Sequence, residues 1–137
     1  MSGSFIAAAA GLCLLIALIE SWLLVAVFSA ENGPVAKRIP GAKDLLRSHI
    51  DYLMMAQFLF VFYGLLRLMT LTLPAPILIA LCFGAFFNPF AFLVRAVRPS
   101  YLKAPPVLFT GFVTLSCLAT TFGYLATGWI IVHAAFF

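Results

Sequence analysis

Ser48-His49-Ile50-Asp51 is the one stretch of this chain whose residue types and spacing suggest chemistry. A neutral imidazole can ligate a metal or a haem iron, or move a proton as a general acid or base. Along a helix, Tyr52, Ala56 and Tyr63 return near the face of His49, so a stripe of His, Tyr, a small residue and Tyr can line a pocket. The competing reading is an interfacial histidine bonded to lipid headgroups or to a loop. Asp51 also reads two ways. In a first helical turn its carboxylate suits the N-terminal dipole and can pair with Arg47, four residues earlier. It can instead meet Arg95 or Arg98, which lie at the same level.

Other polar residues sit inside apolar runs. Ionisable groups in lipid are costly and mark either function or a buried pair. Glu20 therefore needs a partner, and Gln57, Arg67 or a bound proton would each serve. Asn88-Pro89 interrupts the third apolar run. Proline frees a helix carbonyl, which the asparagine amide can refill or leave facing a ligand. Met54 and Met55 read as packing residues, although methionine can be an axial haem ligand. Trp129 and His133 read as interfacial anchors.

The elements that must position these groups are membrane helices. Hydrophobic residues make up 65% of the 137 positions and charged residues 9%. A soluble domain of this size cannot hide so much apolar side chain. Spans in lipid are helices or closed barrels, and continuous apolar runs of this length are helical. The expected spans are approximately 4–29, 48–71, 77–97 and 106–134, each long enough for a hydrocarbon core of about 30 Å. The first has no basic region before it and is too long for a signal peptide, so it is expected to be retained. The fold class is all-α, a single transmembrane domain of residues 1–137 folded as an up-down four-helix bundle. Cys13, Cys82 and Cys117 all lie in apolar runs without metal-ligand spacing, and they read as small hydrophobes.

Seven of the eight Lys and Arg residues fall in two loops: Lys37, Arg38, Lys43 and Arg47 in the first, and Arg95, Arg98 and Lys103 in the third. Only Arg67 lies toward the other side. The positive-inside rule places loops 1 and 3 in the cytoplasm and both termini outside, with a bacterial inner membrane as the expected location. The net charge of +4 is thereby a topology signal, and no nucleic-acid partner is implied. The fourth run carries Gly111, Thr114, Ser116, Ala119, Thr120, Gly123, Ala126, Thr127 and Gly128. Such small residues let helices approach closely, either within one protomer or between copies.

The run from Ser48 through Met55 into Phe58-Leu59-Phe60-Val61 resembles the second-helix signature of a family of small four-helix membrane isomerases, the hydroxylaminobenzene mutases and styrene oxide isomerases. The mutase branch reads Ser-His-Leu-Glu at this place. The layout is similar along most of the chain, and the motif itself covers about ten residues. The resemblance implies a homotrimer with haem b held between subunits, His49 as its axial metal ligand, and ferric iron acting as a Lewis acid on an epoxide oxygen. A small hydrophobic aromatic epoxide or hydroxylamine-type compound is the implied substrate. Tyr52 and Asn88 are the candidate catalytic residues, and Arg47 and Arg95 the candidate partners of the haem propionates. The family has an asparagine six residues after the histidine, where this chain has Met55, a departure that bears on substrate binding. A second likeness, to the glutathione and eicosanoid membrane enzymes, rests on Arg47 and His49. Asp51 stands where that family has asparagine, and its later glutamate is missing. The remaining alternative is a non-catalytic membrane protein whose polar residues serve topology and assembly.

Overall fold

The structure, a computed structural model, describes residues 2–30 and 32–137, with nothing drawn from the side chain of residue 2. Four helices are long and apolar enough to cross a membrane: α1 (Ser2–Ser29), α3 (Ala42–Leu68), α4 (Ala75–Val97) and α6 (Val107–Phe136). Two short helices, α2 (Pro34–Arg38) and α5 (Ser100–Lys103), lie in the basic loops. The all-α membrane bundle expected from the apolar runs is present, with successive spans antiparallel.

Three of the four expected spans end within about two residues of the observed helices. The second does not, because α3 begins at Ala42 rather than near residue 48. Ala42, Lys43, Asp44, Leu45, Leu46 and Arg47 include strong helix formers, so the helix continues where hydrophobicity stops. Polarity marked the edge of the apolar zone, not the end of the hydrogen-bond ladder. Two corrections follow. Asp44 rather than Asp51 occupies the first turn. Arg47 pairs with Asp44, Nη1 to Oδ1 at 3.2 Å, and not with Asp51.

The inner seam of α1 is Ile6, Ala10, Cys13, Ala17, Glu20, Leu24 and Val27, all buried. Their spacing alternates four and three, the heptad pattern that keeps one side of a helix on its neighbour. Against it α3 sets Leu45, Ser48, Tyr52, Ala56, Leu59 and Leu66. Small residues on α1 let α3 close in, and Leu81 and Ala85 of α4 complete this core. A second cluster, Leu24, Val27, Leu45 and Ala96, seals the basic end. There the Gly41 N–H donates to the Ala96 carbonyl at 2.9 Å. A Cβ on Gly41 would stand 2.7 Å from the Ala96 Cα, so glycine is what lets the first loop cap the end of α4.

α6 packs mainly on α4, and it has no substantial contact with α1. Ser116, Gly123 and Thr127 are its buried residues. A Cβ on Gly84 would meet Thr120 backbone atoms at 2.4–2.5 Å, and one on Gly123 would meet Leu81 at 2.6 Å. Part of the small-residue stripe thus serves packing inside the protomer. Gly111 and Gly128 face open space. α6 reaches α3 chiefly through Tyr124, whose ring meets Phe58 and Phe62 edge-on and whose hydroxyl lies 3.1 Å from Met55 Sδ.

Candidate functional site

Pro89 does not interrupt α4, because the helix runs through it unbroken. Proline has no N–H to give the carbonyl four residues back, Ala85. In lipid that carbonyl must find another donor. Cys13 of α1 supplies one, with Sγ 3.8 Å from the Ala85 oxygen. The next carbonyl, Phe86, accepts from the Tyr52 hydroxyl at 3.0 Å. A thiol of α1 therefore serves the carbonyl freed by the proline, and a hydroxyl of α3 bonds the carbonyl beside it. Asn88 does not do so; its Oδ1 accepts from Cys117 Sγ of α6 at 3.3 Å.

One turn away lies a second buried polar group. Glu20 is 1% exposed. Its partner is Ser48, Oγ to Oε1 at 2.7 Å, rather than Gln57 or Arg67. The same Ser48 Oγ lies 3.2 Å from the Pro89 carbonyl. A hydroxyl has one proton and cannot donate to both. Glu20 Oε1, the Ser48 hydroxyl and the Pro89 carbonyl each have a partner when a neutral Glu20 carboxyl donates to Ser48 and Ser48 donates to Pro89. No cation forms a salt bridge with Glu20 among the described residues. Glu20 Oε2 is enclosed and has no partner.

His49 is half-buried on the α1 side of α3. Its Nδ1 stands 2.9 Å from the Ala17 carbonyl. A carbonyl only accepts, so Nδ1 carries a proton, and in the neutral ring the lone pair is then on Nε2. Nε2 has no hydrogen-bond partner among the described residues and is not among the enclosed polar atoms. The imidazole is thus held in one tautomer with its basic nitrogen open. Ala17, fully buried, brings the α1 backbone close enough for this bond.

The expected pocket stripe on the His49 face does not form. Tyr52 and Ala56 are buried in the inner seam, and Tyr63 packs beside Gly3 at the far end of α1. Asn88 and Arg95 belong to another place. With Phe92, Tyr101, Phe109 and Cys117, among others, they line a cavity of about 330 Å³ where α4, α5 and α6 meet. Arg95 Nη2 pairs with Asp44 Oδ1 at 3.2 Å. Of the five expected site residues, Arg47 and Arg95 meet through Asp44, Tyr52 is committed to α4, and Asn88 faces α6. The roles of Cys13 and Ser48 in this network were missed. Ser48 stood in the motif, and the spacing of Cys13 from Ala17 and Glu20 was the signal that placed both on one seam.

Searches against protein-family models, curated proteins and solved structures found no match for this chain.

Proposed function

We propose that this chain is an integral membrane isomerase of small aromatic epoxides or hydroxylamine-type compounds that binds haem b through His49 Nε2. The observation that carries the reading is the 2.9 Å contact between His49 Nδ1 and the Ala17 carbonyl. A metal-ligating histidine characteristically gives its other ring N–H to a carbonyl or carboxylate, which fixes the tautomer and raises ligand basicity. No three His, Cys, Asp or Glu side chains converge on a metal position among the described residues. His49 fits the role of a lone protein ligand, the mode in which haem iron is held.

When bound, the haem would supply a Lewis-acidic iron for a substrate oxygen. The residues of the chain do the rest. Ala17 holds the ring orientation of His49. Arg47, with 60% of its side chain exposed, can leave Asp44 to meet a propionate, since guanidinium–carboxylate contacts are strong and directional. Tyr52 acts by fixing α3 against α4 rather than by touching substrate. His49 lies at the protomer surface, so a second copy would cover a macrocycle there, and a trimer follows from the family likeness. The basic loops would face the cytoplasm.

A second reading, a non-catalytic assembly protein, draws support from Cys13, Ser48 and Tyr52. Each of them repairs or supports backbone around Pro89, and none has a free polar atom to offer a substrate.

Haem binding separates the two. Detergent-purified protein supplied with haem should show a Soret band at about 400 nm and one equivalent of haem per protomer by pyridine haemochrome. His49→Ala should lose the band yet still insert in the membrane. Full haem in the variant, or none in the wild type, sinks the isomerase reading.

A further inference from the structure

The cavity between α4, α5 and α6 shares no residue with the His49 region, and its chemistry can be read separately. Its walls are mostly apolar, with Phe92, Phe109 and Val113 among them, and its polar members are chiefly donors. Arg95 lines the space with a guanidinium whose Nη2 is held by Asp44, and the side chain keeps 20% of its surface exposed. Asn88 has its amide oxygen taken by Cys117, so its NH₂ group is left to donate. The Tyr101 hydroxyl accepts from Arg98 Nη1 at 3.3 Å, which leaves its own proton free. α5 and the segment around it set Tyr101 against Phe109, ring centroids 5.2 Å apart, over one end of the space.

The local charge does not balance. Asp44 is shared by Arg47 and Arg95, so two cations meet one carboxylate. Arg98 and Lys103 add to the excess at this end of the molecule, and no other ion pair is present among the described residues. A neutral ligand would leave this surplus and the free donors unmet. A cation would be repelled. An anionic oxygen head answers both, because hydrogen bonds from a guanidinium to a carboxylate or phosphate are among the strongest available. A volume of about 330 Å³ admits a body of one or two rings or a short chain, at the lower end of small-molecule pockets.

We propose that this cavity is a binding site for an amphiphile with an anionic oxygen head and a compact apolar body, the head held by Arg95, Asn88 and Tyr101. The head can belong to a free carboxylate or to the phosphate of a membrane lipid.

The test uses 2-naphthoate and its neutral analogue 2-naphthylmethanol, titrated calorimetrically into haem-free, delipidated, full-length protein. Because haem is absent, failure of the isomerase reading leaves this result intact. Saturable binding of one naphthoate per protomer is expected, at least roughly tenfold tighter than the alcohol. Arg95→Gln should abolish that preference. Since Arg95→Gln also disturbs Asp44, a second variant fills the space from its exposed rim. Thr114→Trp should abolish binding, and Leu118→Trp, which lies outside the cavity, should bind as wild type. Phosphatidylglycerol added in mixed micelles assigns the source. Displacement of naphthoate means a lipid phosphate, and no displacement means a free carboxylate. Equal affinity for acid and alcohol, undiminished binding by Thr114→Trp, or no saturable binding overturns the proposal.

Discussion

Ser48 has one hydroxyl proton and two oxygens within reach, Glu20 Oε1 and the Pro89 carbonyl. The direction of that proton decides what Glu20 is. If the carboxyl is neutral and donates, an amide can replace it without loss. Glu20→Gln is therefore expected to keep stability within about 0.5 kcal/mol. Ser48→Ala removes the acceptor and leaves an enclosed carboxyl alone, at a cost of about 1–3 kcal/mol. Adding Glu20→Leu to Ser48→Ala should restore most of that loss, because the enclosed carboxyl is then gone and the Pro89 carbonyl still lies within the continuous helix α4. Unfolding in mixed micelles measures all three. A Glu20→Gln variant as unstable as Ser48→Ala would contradict the neutral donor. At this scale the sequence was only half legible. Glu20 stood out as a group in need of a partner, because charge in an apolar run is conspicuous. Its partner did not, since serine is unremarkable in such a run and the register between α1 and α3 is set by packing. Cys13 was equally hidden. A thiol that reads as a small hydrophobe becomes a donor only when a proline on another helix frees a carbonyl beside it.

Among the elements, long apolar runs announced four helices, but they did not mark where α3 begins. Hydrophobicity reports the solvent, and the backbone ladder of α3 crosses from lipid into the polar loop without a break. The fourth run was ambiguous in a different way, because its small residues suit either an internal or an external neighbour. The structure divides them by spacing. Gly123 sits where α6 touches α4 backbone to backbone, as Gly84 does on the α4 side, while Gly111 and Gly128 look outward. An added methyl at Gly84 or Gly123 meets main-chain atoms that cannot rotate away. Gly84→Ala and Gly123→Ala should each cost about 1–3 kcal/mol and weaken the hold of α6. Gly128→Ala should leave stability unchanged or raise it slightly, since alanine is the better helix former. Loss of stability in Gly128→Ala equal to that in Gly123→Ala would argue against this packing. The end of α3 carries a local cost of its own. Thr70 adopts a φ of 54° in a turn where Leu71 N–H bonds the Leu66 carbonyl at 2.8 Å and Thr70 N–H bonds the Arg67 carbonyl at 3.3 Å. Glycine usually fills this left-handed position, so threonine holds it against its own steric preference.

For the whole molecule, the protomer buries little of its own surface. Only 17% of the most apolar window of α6 is buried inside the protomer, and no span exceeds 28%. Lipid covers the remainder wherever a second copy does not. The distribution of Lys and Arg sets the expected orientation, with the loop of α2 and that of α5 on the cytoplasmic side. In a background lacking the native cysteines, a thiol introduced at Lys37 should react only with reagent admitted to the cytoplasm, and one at Pro74 only with reagent outside. The reverse pattern would invert the assignment.

The attachment of α6 has a consequence for how the protein is made. The ribosome releases this helix after α1, α3 and α4, which have had time to assemble on the seam of Ala10, Cys13 and Ala17. Until then acyl chains are expected to fill the groove beside Gly84. α6 is therefore expected to dock as a single span, pinned to one neighbour and steadied by Tyr124. Residues 1–104 and 105–137 synthesised as separate polypeptides should find each other in the same bilayer and co-purify. If they fail to do so, the covalent loop rather than the α4–α6 contact is what brings α6 home.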